Sequence, residues 1–329
     1  MMFWGDIILK QPSLIGELAA FGAPARWSSR FSLFGDTLKR ELQPPNIIAL
    51  NWGYEADHPF AKEAAQFAKA KIPFYVCPGT STWQTLLGRH DNAFANLRAA
   101  AKTGKKLGAI GYLNTEWGDG GHPQPLAVGW PLFAAGAALA WNANSLDEKI
   151  LAAVLNRDVF EDAAGKIAQA GLKLGYVHQK LGVKALNETP LGTVIAAPKP
   201  ADRELFCRNG LKWFAKIPAA KINATLKAIE SQRKVLASAR PTSAAGKVLV
   251  QELDLAARMA AQSGKIMLWQ QAVAAKKTAA AKRLARQGIR ELQKLEKDFN
   301  SLWPLRNKAT PKHCSPFLRW RMEDYRAAG

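Results

Sequence analysis

The chain has 329 residues, 48% of them hydrophobic and 22% charged, which excludes a disordered or fibrous protein and gives length enough for two domains. Its formal charge of +20 sits almost wholly in the second part: residues 1–150 hold 14 basic and 12 acidic side chains, residues 151–329 hold 32 and 14. Three cysteines, Cys77, Cys207 and Cys314, are odd in number and too far apart for a CxxC motif, so neither a redox pair nor a disulfide framework is expected.

The first segment, MMFWGDIIL, carries Asp6 inside its apolar run and no basic stretch before it, unlike a secretory signal. The longest apolar stretch, Trp130 to Trp141 (WPLFAAGAALAW), falls well short of the roughly 20 residues of a membrane span and is read as a buried helix. A cytoplasmic protein without a membrane partner is expected.

Four short apolar runs follow one another in the first part: Phe3 to Leu9, Ile47 to Trp52 (IIALNW), Ile72 to Cys77 (IPFYVC) and Ala109 to Leu113 (AIGYL). Each has strand length and is bounded by Gly, Pro or Asn. Helix-like segments, Pro59 to Ala70 and Ala93 to Lys106, separate the last three, and connections of that length suit parallel strands rather than hairpins. The predicted class is α/β.

Aromatic and polar residues repeatedly follow these runs. Trp4-Gly5-Asp6 belongs to the first, Asn51-Trp52-Gly53-Tyr54 ends the second, Pro78 to Trp83 (PGTSTW) follows the third, and Asn114 to His122 (NTEWGDGGH) follows the fourth. In a parallel α/β barrel such positions converge on the C-terminal mouth, where ligands bind. Four tryptophans with carboxylates at one mouth point to a sugar, because indole faces cover the apolar side of a pyranose while carboxylates accept from its hydroxyls.

From about Ser145 the composition turns to Ala, Leu and Lys at helical spacing. Ser145-Leu146-Asp147-Glu148 reads as a capping box with Ser145 as the cap. Leu292, Leu295, Phe299 and Leu302 form one apolar stripe of a long helix whose other faces carry Lys282, Arg283, Arg286, Arg290, Lys294 and Lys297. The reading is a barrel-like part over residues 1–145 and a mainly helical domain over residues 146–329, with loops at Lys184 to Arg203 and Ser238 to Gly246.

The segments MMFWGDII, IALNWGYEADHPF, IPFYVCPGTSTW and GAIGYLNTEWGDGGH resemble consecutive pieces of the C-terminal half of the catalytic (β/α)8 barrel of glycoside hydrolase family 20, the β-N-acetylhexosaminidases. FNSLWPLRNKATPKHCSPFLRWRMEDYR resembles the end of the helical domain that follows the barrel in bacterial members. The resemblance implies a partial TIM-type barrel, an N-acetylhexosamine-containing glycan as partner, no cofactor, and a substrate-assisted retaining mechanism in which the acetamido oxygen attacks the anomeric carbon. It makes Tyr54 the donor to that oxygen, Trp4, Trp52, Trp83 and Trp117 the walls around the sugar, and Asp119 the carboxylate on its hydroxyls, with Asp6 beside Trp4.

The same resemblance places the family's catalytic Asp-Glu pair upstream of the segment similar to MMFWGDII, so the chain alone is expected to lack it and a missing barrel half becomes a candidate partner. The one Asp-Glu dipeptide, Asp147-Glu148, is accounted for by helix capping. Between Leu18 and Pro45 the connection is longer than the resemblance calls for. A second function of another class is a carbohydrate-binding protein that keeps the sugar walls without catalysis. Nucleic acid is not the expected partner, since solvated basic helix faces account for the charge of the second part. Asp119 and His122 have a metal-like spacing, but His58, His90, His178 and His313 supply no second cluster, so no metal is expected. Cys77 is read as packing.

Overall fold

The computed structural model of the chain describes residues 2–4, 47–118, 121–196, 216–308, 310 and 315–327. Four strands, β1 (Met2–Trp4), β2 (Ile48–Trp52), β3 (Phe74–Cys77) and β4 (Gly111–Tyr112), form a parallel sheet in the order β1-β2-β3-β4. The expected strands and their parallel sense are present; β2, β3 and β4 are each shorter than their apolar runs, β1 starts one residue ahead of its run, and the run beyond Trp4 lies outside the described residues. Met2 pairs with Ile48, Ala49 with Phe74 and Tyr75 with Gly111. Among the described residues the sheet is open, with β1 and β4 at its two ends.

Two helices connect the inner strands, α1 (Phe60–Lys69) between β2 and β3 and α2 (His90–Leu107) between β3 and β4. In α1, Phe60, Ala64 and Phe67 recur at spacings of four and three and are buried. They pack with Ile47, Ala49, Ile72, Phe74, Val76 and Ala100 into one apolar core, in which the Phe67 and Phe74 rings stack at 6.0 Å. Gly111 leaves the space across β4 to Tyr75, whose ring would stand 2.4 Å from a Cβ there.

Helix α3 (Trp130–Trp141) is helical as expected but not buried along its length: Trp130 and Trp141 at its two ends are exposed, Trp141 at 94%. Pro131, Leu132, Ala135, Gly136 and Leu139 are its buried positions, and the indoles at its two ends are left uncovered.

The remaining helices are α4 (Glu148–Val154), α5 (Lys166–Leu174), α6 (Pro190–Ala196), α7 (Ala219–Leu236), α8 (Ala244–Ala274), α9 (Thr278–Leu302) and α10 (Pro316–Ala327). The expected capping box does not form, and the cap lies two residues further on than Ser145. Asp147 caps α4, its carboxylate accepting from the amides of Lys149 at 2.7 Å and Ile150 at 3.2 Å, while the Ser145 hydroxyl donates to the carbonyls of Ala138 and Asn142. Helix α6 lies within the stretch expected to be a loop, and residues 197–203 of that stretch lie outside the described residues. Helix α6 is buried almost throughout, and Gly192 is needed there because a Cβ would meet the Gln84 carbonyl oxygen at 2.1 Å.

Helices α8 and α9 form an antiparallel hairpin through a short turn at Ala275 to Lys277. The stripe predicted for α9 is buried at Leu292, Leu295 and Phe299 and extends back through Gly288, Ala285 and Ala281. Gly288 admits the Tyr325 ring of α10, which would stand 2.4 Å from a Cβ. Across the hairpin Arg258 of α8 reaches Asp298 of α9 at 2.6 Å while also pairing with Asp254 of its own helix at 2.8 Å, and Lys265 reaches Glu291 of α9 at 2.7 Å.

A further anchor precedes α5. Asp162 is buried and its carboxylate accepts from four backbone amides, Ala164, Lys166, Ile167 and Arg240, at 2.6 to 3.1 Å. Lys166 and Ile167 are orphan donors at the start of α5, Ala164 lies in the turn just before it, and Arg240 ties that end to the segment before α8.

The chain divides into two compact units with interleaved sequence: Met1–Thr80, Asn92–Thr115 and Ala135–Leu146 in one, and Ser81–Asp91, Glu116–Ala134 and Asp147–Gly329 in the other. The sheet and its core belong to the first, the long helices to the second. Among the described residues no helix is long and apolar enough to cross a membrane.

Candidate functional site

In the sheet unit the strand ends carry the first group of predicted residues. Trp4 closes β1 and Trp52 closes β2 at their C-terminal ends, and their rings meet edge to face at 6.4 Å. Tyr54, two residues past β2, lies over Trp52 at 5.2 Å. All three are half-buried. The sequence-predicted Trp4, Trp52 and Tyr54 are thus brought together on one end of the sheet.

The segment that carries Tyr54 is held from below by two asparagines of α2. Asn92 donates to the Tyr54 carbonyl at 2.6 Å and accepts from the Ala56 amide at 2.7 Å. Asn96, fully buried, donates to the carbonyls of Gly53 and Glu55 at 2.9 Å each and accepts from the Gly79 amide at 3.2 Å. Both side chains use their amide as donor and acceptor at once, which leaves the loop 53–56 little freedom. Gly53 also sits under the His58 imidazole, which pairs with Glu63 at 2.9 Å. These asparagines were not singled out from the sequence; their spacing of four on a helix that follows a glycine-rich strand end is the signal that was there to read.

In the helical unit Trp83 is buried, with 1% of its surface exposed, and Trp117 is half-buried. Asp119 and Asp6 lie outside the described residues. Beside Trp83 and Trp117 in sequence, Thr82 and Glu116 form the polar centre of this group. The Thr82 hydroxyl donates to the Glu116 carboxylate, His122 Nε2 lies 3.0 Å from Oε1 and Gln124 Nε2 3.5 Å from it. The other ring nitrogen of His122 faces the Gln124 carbonyl at 3.1 Å.

With an oxygen acceptor at each nitrogen, the His122 ring is best satisfied carrying both protons. Burial opposes the charge, but the hydrogen bond and the attraction of Glu116 outweigh it, and the imidazole is raised above its ordinary value. Among the described residues the carboxylate partner of His122 is Glu116, and Asp119 lies outside them. Glu116→Gln keeps the shape but removes the charge, so the His122 titration midpoint followed by NMR is expected to fall toward 6.5; an unchanged midpoint would assign the shift to something other than this pair.

The same unit holds a buried polar loop at residues 81–91. Arg89 donates to the Ala185 carbonyl at 3.0 Å, the Thr189 hydroxyl donates to the Thr85 carbonyl at 3.0 Å, and the His90 ring pairs with the Leu172 carbonyl at 3.1 Å. His178 forms an ion pair with Asp91 at 3.2 Å. Cys77, in the sheet unit, is buried, and burial pushes its thiol up to about 12, so it packs rather than reacts.

Two hollows are lined by other residues. One of about 520 Å³ in the sheet unit lies between Val76, Ala101, Tyr112 and the exposed Trp141. Another of about 730 Å³ in the helical unit is lined by Arg233, Asp254, Arg258 and Asp298, all engaged in ion pairs with one another. Among the described residues no group of three or more His, Cys, Asp or Glu side chains is placed to hold a metal ion. In comparison with known proteins, no family model matches the chain and no curated protein matches it.

Proposed function

We propose that the chain binds a terminal N-acetylhexosamine and is related to the β-N-acetylhexosaminidases of glycoside hydrolase family 20, its four strands being part of a (β/α)8 barrel. The observation that carries this reading is the cluster of Trp4, Trp52 and Tyr54 at the C-terminal ends of two adjacent parallel strands. In open or closed parallel sheets that edge is where ligands bind, and two indoles with a phenol offer both an apolar face for a pyranose and a donor for an acetamido carbonyl. Tyr54 would donate to that carbonyl, with its backbone fixed by Asn92 and Asn96. Of the other residues that the sequence resemblance implies, Trp83 is buried and presents no face to a sugar, Trp117 is half-buried in the helical unit, and Asp119 lies outside the described residues.

Carbohydrate binding without catalysis is the second reading, favoured by one observation. The only Asp-Glu dipeptide of the sequence is occupied in capping α4, where the Asp147 carboxylate already accepts two backbone amides. Both readings share the binding step, which is tested by titrating N-acetylglucosamine and N-acetylgalactosamine while following tryptophan fluorescence. Binding in the millimolar range or tighter is expected, and Trp52→Ala should weaken it by about 1 to 3 kcal/mol, roughly 5-fold to 150-fold, through loss of the aromatic platform. A folded chain that leaves both sugars unbound at tens of millimolar would remove the proposal.

A further inference from the structure

Helix α9 has two faces of opposite character. At about 100° per residue, the buried positions Ala281, Ala285, Gly288, Leu292, Leu295 and Phe299 fall within about 40° of a single line. Lys282, Arg283, Arg286, Arg290, Lys294 and Lys297 are all exposed and fall within an arc of about 120° on the other side. They run for about 22 Å along the axis. Two regular series make up the stripe: Lys282, Arg286, Arg290 and Lys294 at intervals of four, and Arg283, Arg290 and Lys297 at intervals of seven.

The carboxylates of the same helix that flank the stripe are engaged elsewhere. Glu291 pairs with Lys265 of α8, Asp298 with Arg258 of α8, and Glu296 with Arg319 of α10. Among the described residues none of the six stripe cations joins an ion pair. The remaining long side chain within the arc is Gln293, so no exposed apolar or aromatic group interrupts it.

The arrangement works against the helix that carries it. Like charges four residues apart repel, and Lys282 and Arg283 stand near the N-terminal end, where the helix dipole favours anions, behind the exposed Lys276 and Lys277 of the turn. Local stability would be better served by mixing these cations with acids, as the flanks of α9 do.

We propose that this face of α9 is a docking surface for the phosphate backbone of nucleic acid, bound without regard to base sequence. A row of phosphates along a strand supplies evenly spaced charges of the opposite sign, which the series at intervals of about 6 Å is placed to meet. Arginine and lysine alone, with no aromatic side chain to stack on a base, match backbone contacts and not base readout. An anionic membrane is the poorer match, because the apolar side of α9 is used up in the helical core and the exposed side has nothing to insert among lipid chains. An acidic protein surface would ordinarily find apolar anchors within the patch, and there are none. Six of the 32 basic side chains of residues 151–329 stand together on this one face.

The experiment uses the full chain and a fluorescently labelled 20-nucleotide mixed-sequence single strand, followed by anisotropy from 50 to 200 mM salt. Six phosphate contacts should give a slope of log K against log salt of about −4, a weakening of a few hundred-fold over that range. Arg283→Gln/Arg286→Gln/Arg290→Gln/Lys294→Gln should bind at least about tenfold more weakly at 50 mM salt and bring the slope to about −1.5. Its helical circular dichroism should match that of the unaltered chain. Lys102→Gln/Lys105→Gln/Lys106→Gln, which removes three exposed cations from α2, should leave both quantities nearly as they were. Absence of binding at 50 mM salt, or equal weakening in both variants, overturns the proposal. So does uptake by phosphatidylserine vesicles that the oligonucleotide fails to displace, and that result would point to a membrane instead. The sugar titration is independent of all these outcomes.

Discussion

The purified 329-residue chain is expected to release p-nitrophenol from p-nitrophenyl N-acetylglucosaminide no faster than a heat-denatured control. Cleavage of that bond needs an acid for the leaving oxygen and a carboxylate that orients the acetamido group, and each such group ordinarily accelerates the reaction by about 100-fold to 10,000-fold. On the proposed reading, in which these residues supply neither group, the shortfall is on the order of 10⁴-fold or more, beyond what a well-formed sugar site can offset. Two of the described carboxylates already have partners: Glu116 accepts from Thr82, His122 and Gln124, and Glu63 pairs with His58. Supplying the Asp-Glu strand on a separate polypeptide should restore turnover, and Tyr54→Phe should then lower kcat by removing a donor to the acetamido oxygen. Turnover by the chain alone that Glu116→Gln abolishes would instead make Glu116 the acid.

The second large effect is loss of stability in mild acid. His90 is buried, and burial holds its imidazole down at about 4, against the opposing pull of the Leu172 carbonyl and of Asp91. In the unfolded chain the ring takes up its proton near pH 6.5, so between pH 6.5 and 4 the unfolded state binds more protons and stability falls as the pH is lowered. A shift of that size corresponds to about 3 kcal/mol over the interval. His122 acts in the other direction. Its folded value is raised, so its contribution is fully present below 6.5 and disappears as the pH rises through that folded value, partly offsetting His90 in acid.

Below pH 4 Asp162 takes over. Burial alone would raise its carboxyl, but the four amides that donate to it hold it below the ordinary range, and the stability it lends is lost as the pH falls through that lowered value. Urea unfolding at pH 7, 5.5 and 4 measures the His90 part. His90→Asn, whose amide can still donate to the Leu172 carbonyl, should be less stable at pH 7 yet flatter between pH 6.5 and 4. A variant as steep as the parent would mean that another group carries the acid sensitivity.

The sheet was legible because its strands are short, apolar throughout and bounded by residues that end strands, as at Pro73 and Pro78 around β3. Their parallel sense was legible from the lengths between them. The cap of α4 was misplaced because Ser145 and Asp147 are both good capping residues two positions apart, and only the hydrogen bond of Ser145 back to Ala138 decides between them. Helix α6 was missed because Pro190 and Gly192 read as loop signals, whereas the proline occupies the first turn, where its missing amide costs nothing, and the glycine makes room for Gln84. Of the candidate site, Trp4, Trp52 and Tyr54 could be gathered from strand ends alone. The pairing of Glu116 with His122, and the burial of Trp83 and of the loop 81–91, depend on residues brought together from distant parts of the chain. No local pattern announces them.

The loop 81–91 has a consequence for synthesis. Its partners Leu172, Ala185 and Thr189 lie 82 to 104 residues further along the chain. At about 5 to 20 residues per second, a ribosome needs roughly 5 to 20 s to make them after the loop itself has been added. During that interval Thr85, Arg89 and His90 leave the exit tunnel without the carbonyls and hydroxyls that later enclose them, while β2, α1 and β3 already have each other. The nascent chain thus carries this loop open, behind strands and a helix that already hold one another, until the residues up to the start of α6 are made.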